Sequence, residues 1–345
     1  MTAFHTSSFP CPSLINDIRR GLAAAVVIAF GTAWPSFSPP AAAQAIQPGA
    51  LTGIHEPSGL KQLPDGRILV VEDEASHAFG LLTLPRDGGA PTTDTSANQR
   101  LIDSFERKLN DLEGLTMDDQ GWLYAITSHA DTKKGERKEA REQLVRFKLP
   151  EGVAIEQQYH DGLRDALSSA EGLKKLIKDQ GASSIHLSNP DIEGLAFDPK
   201  NGQLILGFSK PLIDGKALIV TLSNPDEMFT RQASPAFSAA YLLDLQGGGI
   251  RGLDYDAANQ RYLLLNEVED ASGKNRSQLW QWDGKPASAP EKITPPAFAQ
   301  MKNVEAIGAV NAGQGPEYLF LSDEGNAKKQ RPGQFLRIPA TQLNP

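Results

Sequence analysis

From Glu56 onward, polar and apolar positions recur in blocks. Each block runs from a polar residue through a Gly or Ala and bulky apolar residues to a polar turn. A second apolar run follows and ends in polar, mostly charged groups. The blocks are "EPSGLKQLPDGRILVVEDE" from Glu56, "DLEGLTMDDQGWLYAITSH" from Asp111, "DIEGLAFDPKNGQLILGFSK" from Asp191, "GIRGLDYDAANQRYLLLNEVED" from Gly249 and "NVEAIGAVNAGQGPEYLFLSDEG" from Asn303. The residue before the Gly or Ala is Ser58, Glu113, Glu193, Arg251 or Glu305, at spacings of 55, 80, 58 and 54 residues. Such self-similarity marks a repeat architecture. A third apolar run follows each pair ("FGLLTL", "EQLVRFKL", "KALIVTL", "SQLWQWDG", "GQFLRIPA"). A fourth usually comes next ("RLIDSF", "VAIEQQY", "AYLLDL", "EKIT").

Short strands joined by D-G, N-G and D-Q-G turns, four to a repeat, predict an all-β chain and a β-propeller. Five four-stranded blades are counted; six is the count if one blade is too degenerate to register. The fifth repeat lacks a fourth strand before Pro345, and "ALTGIH" near the start is spare, so an N-terminal strand is expected to close the ring. The longest spacing contains Leu163, Leu167, Ala170, Leu173, Leu176 and Ile177 at helical period, which predicts one inserted amphipathic helix at about 160–180.

Ahead of these blocks the pattern changes. Arg19-Arg20 precede "GLAAAVVIAFGTAW" and then "AAAQA", the layout of an export signal over residues 1–45. The expected mature chain is a single domain over 46–345, periplasmic or secreted, with no stable membrane anchor once the signal is removed. The one cysteine, Cys11, falls in that signal, which leaves no disulfide, thiol nucleophile or thiolate ligand downstream. The formal charge of −8 becomes −9 without the signal, which argues against nucleic acid as a partner.

In a blade the first strand begins where the second ends, so the repeat positions and the strand ends meet on one face near the channel. Glu113, Glu193 and Glu305 would place three carboxylates there. Either Arg251 or a metal would neutralise them, and all-oxygen ligands favour calcium or magnesium. His129 is the one histidine at a strand end and is the candidate general base or acid. Ser128, Ser209, Lys210, Glu267 and Asp323 share that face as candidate ligand-binding groups. Basic residues in the adjoining loops (Lys133, Lys134, Arg137, Lys138, Lys216, Lys274, Arg276, Lys328, Lys329 and Arg331) suggest a collar for an anionic small molecule. A G-x-G-x-x-G at Gly247, Gly249 and Gly252 lacks the following helix of a dinucleotide site and reads as a strand crossover. No G-x-S-x-G, G-x-x-x-x-G-K-[ST] or H-E-x-x-H is present.

"DLEGL", "SHADTKKGERKEAREQLVRFKL", "DIEGLAFDPKNGQLILGFSKPLIDGKALI", "GGGIRGLDYD" and "LWQWDG" together resemble the bacterial family known as domain of unknown function 3616. That resemblance implies a propeller and no established activity. More distantly, the E-G-L blades are similar to esterase-like phytase propellers and to calcium-dependent lactonase and phosphotriesterase propellers. These imply a channel metal and ester hydrolysis, by fold analogy. Two functions are therefore carried. One is an exported propeller that binds a ligand or partner on its channel face, with the Glu/Arg ring structural. The other is a metal-dependent hydrolase of anionic phosphate or carboxylate esters.

Overall fold

The computed structural model describes residues 46–74, 76–313 and 315–343; the expected export signal lies outside them. The chain is all-β, built of five four-stranded antiparallel sheets. In chain order the strands begin with β1 (Gly49–Leu51), β2 (Pro57–Gln62), β3 (Ile68–Glu72), β4 (Phe79–Thr83) and β5 (Thr92–Thr93). Next come β6 (Leu112–Met117), β7 (Leu123–Thr127), β8 (Leu144–Lys148) and β9 (Ile155–His160), then β10 (Asp191–Asp198), β11 (Gln203–Lys210), β12 (Ala217–Leu222) and β13 (Phe237–Leu243). The last seven divide into β14 (Ile250–Asp256), β15 (Arg261–Glu269), β16 (Asn275–Trp282) and β17 (Glu291–Ile293), and β18 (Val304–Asn311), β19 (Pro316–Ser322) and β20 (Gly333–Pro339). Four sheets are simple meanders: β2 to β5, β6 to β9, β10 to β13 and β14 to β17. The fifth runs β18, β19, β20 and then β1, whose Gly49, Ala50 and Leu51 pair with Phe335, Gln334 and Gly333.

Strands β3 and β7 are buried along their whole length, as sheets covered on both faces require. The cover is the neighbouring sheet. The first strands pack in succession, β2 on β6, β6 on β10, β10 on β14, β14 on β18 and β18 on β2. An apolar cluster fills each gap: Val71 and Phe79 meet Leu115 and Phe147, Ile126 and Leu144 meet Leu206 and Phe208, and Ile219 meets Leu253 and Trp280. Leu265 and Leu279 then meet Ile307 and Phe320, and Leu319 and Leu321 meet Ile68 and Val70.

Two local expectations are corrected. "RLIDSF" is not a strand but belongs largely to helix α1 (Thr95–Asp103), and the fourth strand of its sheet is the two-residue β5. Asp94 decides this by capping the helix, its Oδ1 accepting from the N–H groups of Ser96 and Ala97 at 2.9 and 3.1 Å. The inserted helix is two helices, α2 (Leu163–Ser169) and α3 (Glu171–Asp179), broken at Ala170 where ψ is 101°. Leu163, Leu167, Leu173 and Ile177 bury as the period predicts. Helix α4 (Pro225–Arg231) had no counterpart in the pattern. None of the helices among the described residues is long and apolar enough to cross a membrane.

Candidate functional site

The recurring residue before the Gly or Ala owes its position to a bulge. In the second sheet Leu112 pairs with Thr127 and Gly114 with Ile126, so Glu113 is the extra residue. The same register shift falls on Ser58, Glu193, Arg251 and Glu305 in the other first strands. A bulge leaves its extra residue out of the ladder and re-aims its side chain. The small residue that follows allows adjacent first strands to touch. A Cβ on Gly252 would lie 2.3 Å from the Glu305 carbonyl oxygen. Gly249 obeys the same constraint, since its Cβ would stand 2.0 Å from the Ser209 carbonyl oxygen, whereas Gly247 has open space around it and a φ of 87°. The formal dinucleotide fingerprint is thus a left-handed turn followed by close strand packing.

Ser58, Glu113, Glu193 and Glu305 line one small cavity of about 10 Å³, room for about one water. Arg251 bridges two of them. Its Nη1 lies 2.5 Å from Glu193 Oε2 and its Nη2 contacts Glu305 Oε1. Both carboxylates are buried, whereas the guanidinium side chain keeps 26 % of its exposure. Burial pushes Glu193 up to about 7 against the pull of Arg251. Burial and then the charge of Glu193 hold Glu113 well above the carboxylate range. Among the described residues no three His, Cys, Asp or Glu side chains are grouped to hold a metal ion. The calcium or magnesium set expected of Glu113, Glu193 and Glu305 is not assembled, because two of the three are committed to Arg251.

The second-strand ends meet the first-strand starts as expected: Pro57 faces Glu72, Leu112 faces Thr127, Asp191 faces Lys210, Ile250 faces Asn266 and Val304 faces Ser322. His129, however, is 0 % exposed. Its Nδ1 bonds to the Thr127 carbonyl at 2.8 Å, and burial pushes its pKa down to about 4. It is not a base that a substrate in solvent can reach. Ser128 is buried and its Oγ accepts from the N–H of Ala130 at 3.1 Å. Ser209 hydrogen-bonds Glu193. The exposed Lys210 stands 3.5 Å from Asp191. Glu267 accepts from Asn275 Nδ2 at 2.9 Å, and Asp323 from Asn303 Nδ2 at 2.9 Å.

Sequence reasoning passed over the polar residues two places before four of the five bulges: Glu56, Asp111, Asp191 and Asn303. The signal was available, since D-L-E and D-I-E recur and N-V-E stands in the fifth block. With the strand ends, these form an acidic mouth. Burial raises Asp73 to about 7, helped by the charges of Glu56, Asp323, Asp111 and Glu74. Burial and Glu56 raise Asp323 to about 6, and Asp111 is also raised, mainly by burial. Backbone bonds tie the mouth together across three sheets: Asp111 N–H to Asp73 at 2.7 Å, Ser128 N–H to Asp111 at 2.9 Å and Ile192 N–H to Ser128 at 2.8 Å. Four of the ten expected collar residues stand beside nearby carboxylates. Arg137 pairs with Glu142 and Asp165, Lys138 with Glu136, Arg276 with Asp270, and Lys328 approaches Glu74 at 3.6 Å. Beside the mouth, between the first and fifth sheets, Glu56, Glu74, Ser76, His77, Asn326, Ala327 and Lys328 line a cavity of about 250 Å³.

Among solved structures the chain is similar to the PQQ-bound aldose sugar dehydrogenase of Streptomyces coelicolor, at 14 % identity, with 85 % of this chain and 98 % of that one covered and a TM-score of 0.42. It is also similar to the α-L-arabinofuranosidase of Podospora anserina bound to cellotriose, at 11 % identity, 85 % and 96 % coverage and a TM-score of 0.42. No curated protein matches it. The model of one family, described as protein of unknown function (DUF3616), matches residues 153–330, and the chain belongs to that family.

Proposed function

We propose that the chain is an exported five-bladed β-propeller that binds a cationic group at its acidic mouth, with the bulged Glu/Arg set serving as the structural plug of the channel. The cyclic packing of the five first strands and the pairing of β1 with β20 support the blade count and the closure of the ring. The room for about one water among the bulged residues speaks for binding at the mouth rather than reaction in the channel.

The observation that carries the ligand class is Asp73. Its Oδ1 is buried and meets no hydrogen-bond partner among the described residues, and its main electrostatic neighbours are carboxylates. A buried anion without a donor is costly, and an incoming ammonium or guanidinium supplies both charge and N–H groups. The adjoining cavity of about 250 Å³ offers Glu56, Asn326 and the His77 ring to such a group, and Glu74 where Lys328, 3.6 Å away, gives way to it. The hydrolase reading needs a base open to solvent and a metal set; the burial of His129 and the engagement of Glu193 and Glu305 weigh against both.

Calorimetric titration with arginine amide, spermidine and calcium chloride at about pH 8 tests the proposal. At least one organic cation is expected to bind, with affinity about tenfold lower in Asp73→Asn, since one lost charged contact is worth roughly 1.4 kcal/mol. Affinity should also drop near pH 5.5, where the mouth takes up protons. Silence from every probe, or equal affinity in the variant, refutes it. Binding of calcium alone replaces the organic cation by a metal ion and restores the ester-hydrolase reading.

A further inference from the structure

We propose that His129 is an acid-released latch that holds the segment 130–142 closed at the end of the β7–β8 hairpin. The residue is fully enclosed and its φ is 60°, in the left-handed region that side chains other than Gly seldom adopt. Two bonds hold it there. Its backbone N–H donates to the Arg141 carbonyl at 2.8 Å, and Nδ1–H donates to the Thr127 carbonyl at 2.8 Å. With the ring proton on Nδ1, Nε2 is the bare acceptor, and no group among the described residues donates to it.

A second proton on this ring has nowhere to go. Its charged surroundings are Asp131, Arg141 and Glu142 of the segment, Arg164 of α2, His160 at the end of β9 and Asp111 at the start of β6. Glu142 is occupied: its two oxygens accept from Arg137 Nε and Nη2 at 2.9 and 2.5 Å and from Arg164 Nη1 at 2.9 Å. Asp131 pairs with Arg164 at 2.8 Å, and Asp111 with Arg141. Arg164 and His160 both disfavour a new positive charge. Protonation is relieved when the ring leaves its enclosure. Because His129 N–H holds the Arg141 carbonyl, this frees the segment and withdraws Arg141 from Asp111 at the mouth. The run from Lys133 to Lys138 is exposed, and the tether it makes outside the segment is the ion pair of Arg137 with the exposed Asp165 of α2. The latch does not depend on what the mouth binds.

Enclosure holds the ring near about 4, against 6.5 for a solvated histidine, so lowering the pH from about 7 to about 5 favours opening roughly 20-fold. Hydrogen exchange on the intact protein reads this as the protection factor of the His129 amide and of the segment. The wild type is expected to lose about 20-fold in protection over that range. His129→Asn, whose side chain tolerates left-handed backbone and takes no proton, should change by less than about twofold. No loss in the wild type, or the same loss in the variant, overturns the latch. Should the variant fail to fold, the ring titration of wild-type His129 by NMR decides: a midpoint near 4 supports the latch, and one near 6.5 overturns it.

Discussion

The bulged set and the mouth solve the same electrostatic problem in opposite ways. Both gather carboxylates where burial penalises charge. In the set, Arg251 occupies the one repeat position that breaks the Glu or Ser pattern, and its fork spans Glu193 and Glu305. At the mouth, Asp73, Asp111 and Asp323 have Arg141 on Asp111, an amide on Asp323 and no cation on Asp73. The set is therefore closed and self-sufficient, whereas the mouth retains charge that an external cation satisfies. The contrast teaches that a carboxylate's neighbours, rather than its conspicuous motif, mark where a ligand has something to gain.

The most severe way to break this contrast is Arg251→Met. It leaves Glu193 and Glu305 buried without their cation and should cost about 3–5 kcal/mol in chemical denaturation. Adding Glu193→Gln and Glu305→Gln should recover much of that loss. A cost below about 1 kcal/mol for the single variant would show that Arg251 is not what neutralises the set. Next in size is Gly252→Ala, which forces a methyl to 2.3 Å from the Glu305 carbonyl oxygen and should cost about 1–3 kcal/mol by strand displacement. A neutral outcome would mean that the first strands separate freely.

The smallest effect is the pH dependence, in which both regions act with one sign and His129 with the other. Asp73 and Glu193 titrate near 7 in the fold and near 4 when unfolded, so the folded chain binds more protons between those values. Their contribution makes stability fall as pH rises from about 4 to about 7. His129 acts the other way, since its folded pKa lies below 6.5, and its contribution is lost as pH falls from about 6.5 to about 4. Asp73→Asn should remove part of the decline on the alkaline side, adding about 1 kcal/mol at pH 8 and nothing near pH 4. Melting curves of the two proteins across this range give the comparison. A variant less stable than wild type at pH 8 would mean that Asp73 already has a cationic partner in the fold.

Much of the fold was legible because it repeats. The D-G, N-G and D-Q-G turns, the apolar runs and the spare N-terminal strand each predicted an element, and the residues before each Gly or Ala pointed at a common place. "RLIDSF" misled because a short apolar run suits strand or helix equally, and the deciding group, Asp94, lies six residues upstream. His129 misled because its strand-end position was right and its enclosure was invisible. The ion pairs within the collar were not legible, because the partners lie far along the chain: Glu142 and Asp165, both bound by Arg137, are 23 positions apart.

The amino-acid sequence by itself determined the strand repeat, the places where small residues admit neighbouring strands, and the identity of the bulged residues. These depend on local period, turn chemistry and side-chain size, which act over a few residues. Only the tertiary structure decided that Arg251 closes onto Glu193 and Glu305, that His129 is sealed, and that Glu56, Asp73, Asp111 and Asp323 share one mouth. Charge and burial depend on which groups from distant segments come within a few ångströms, and that distance exists only once the sheets have packed.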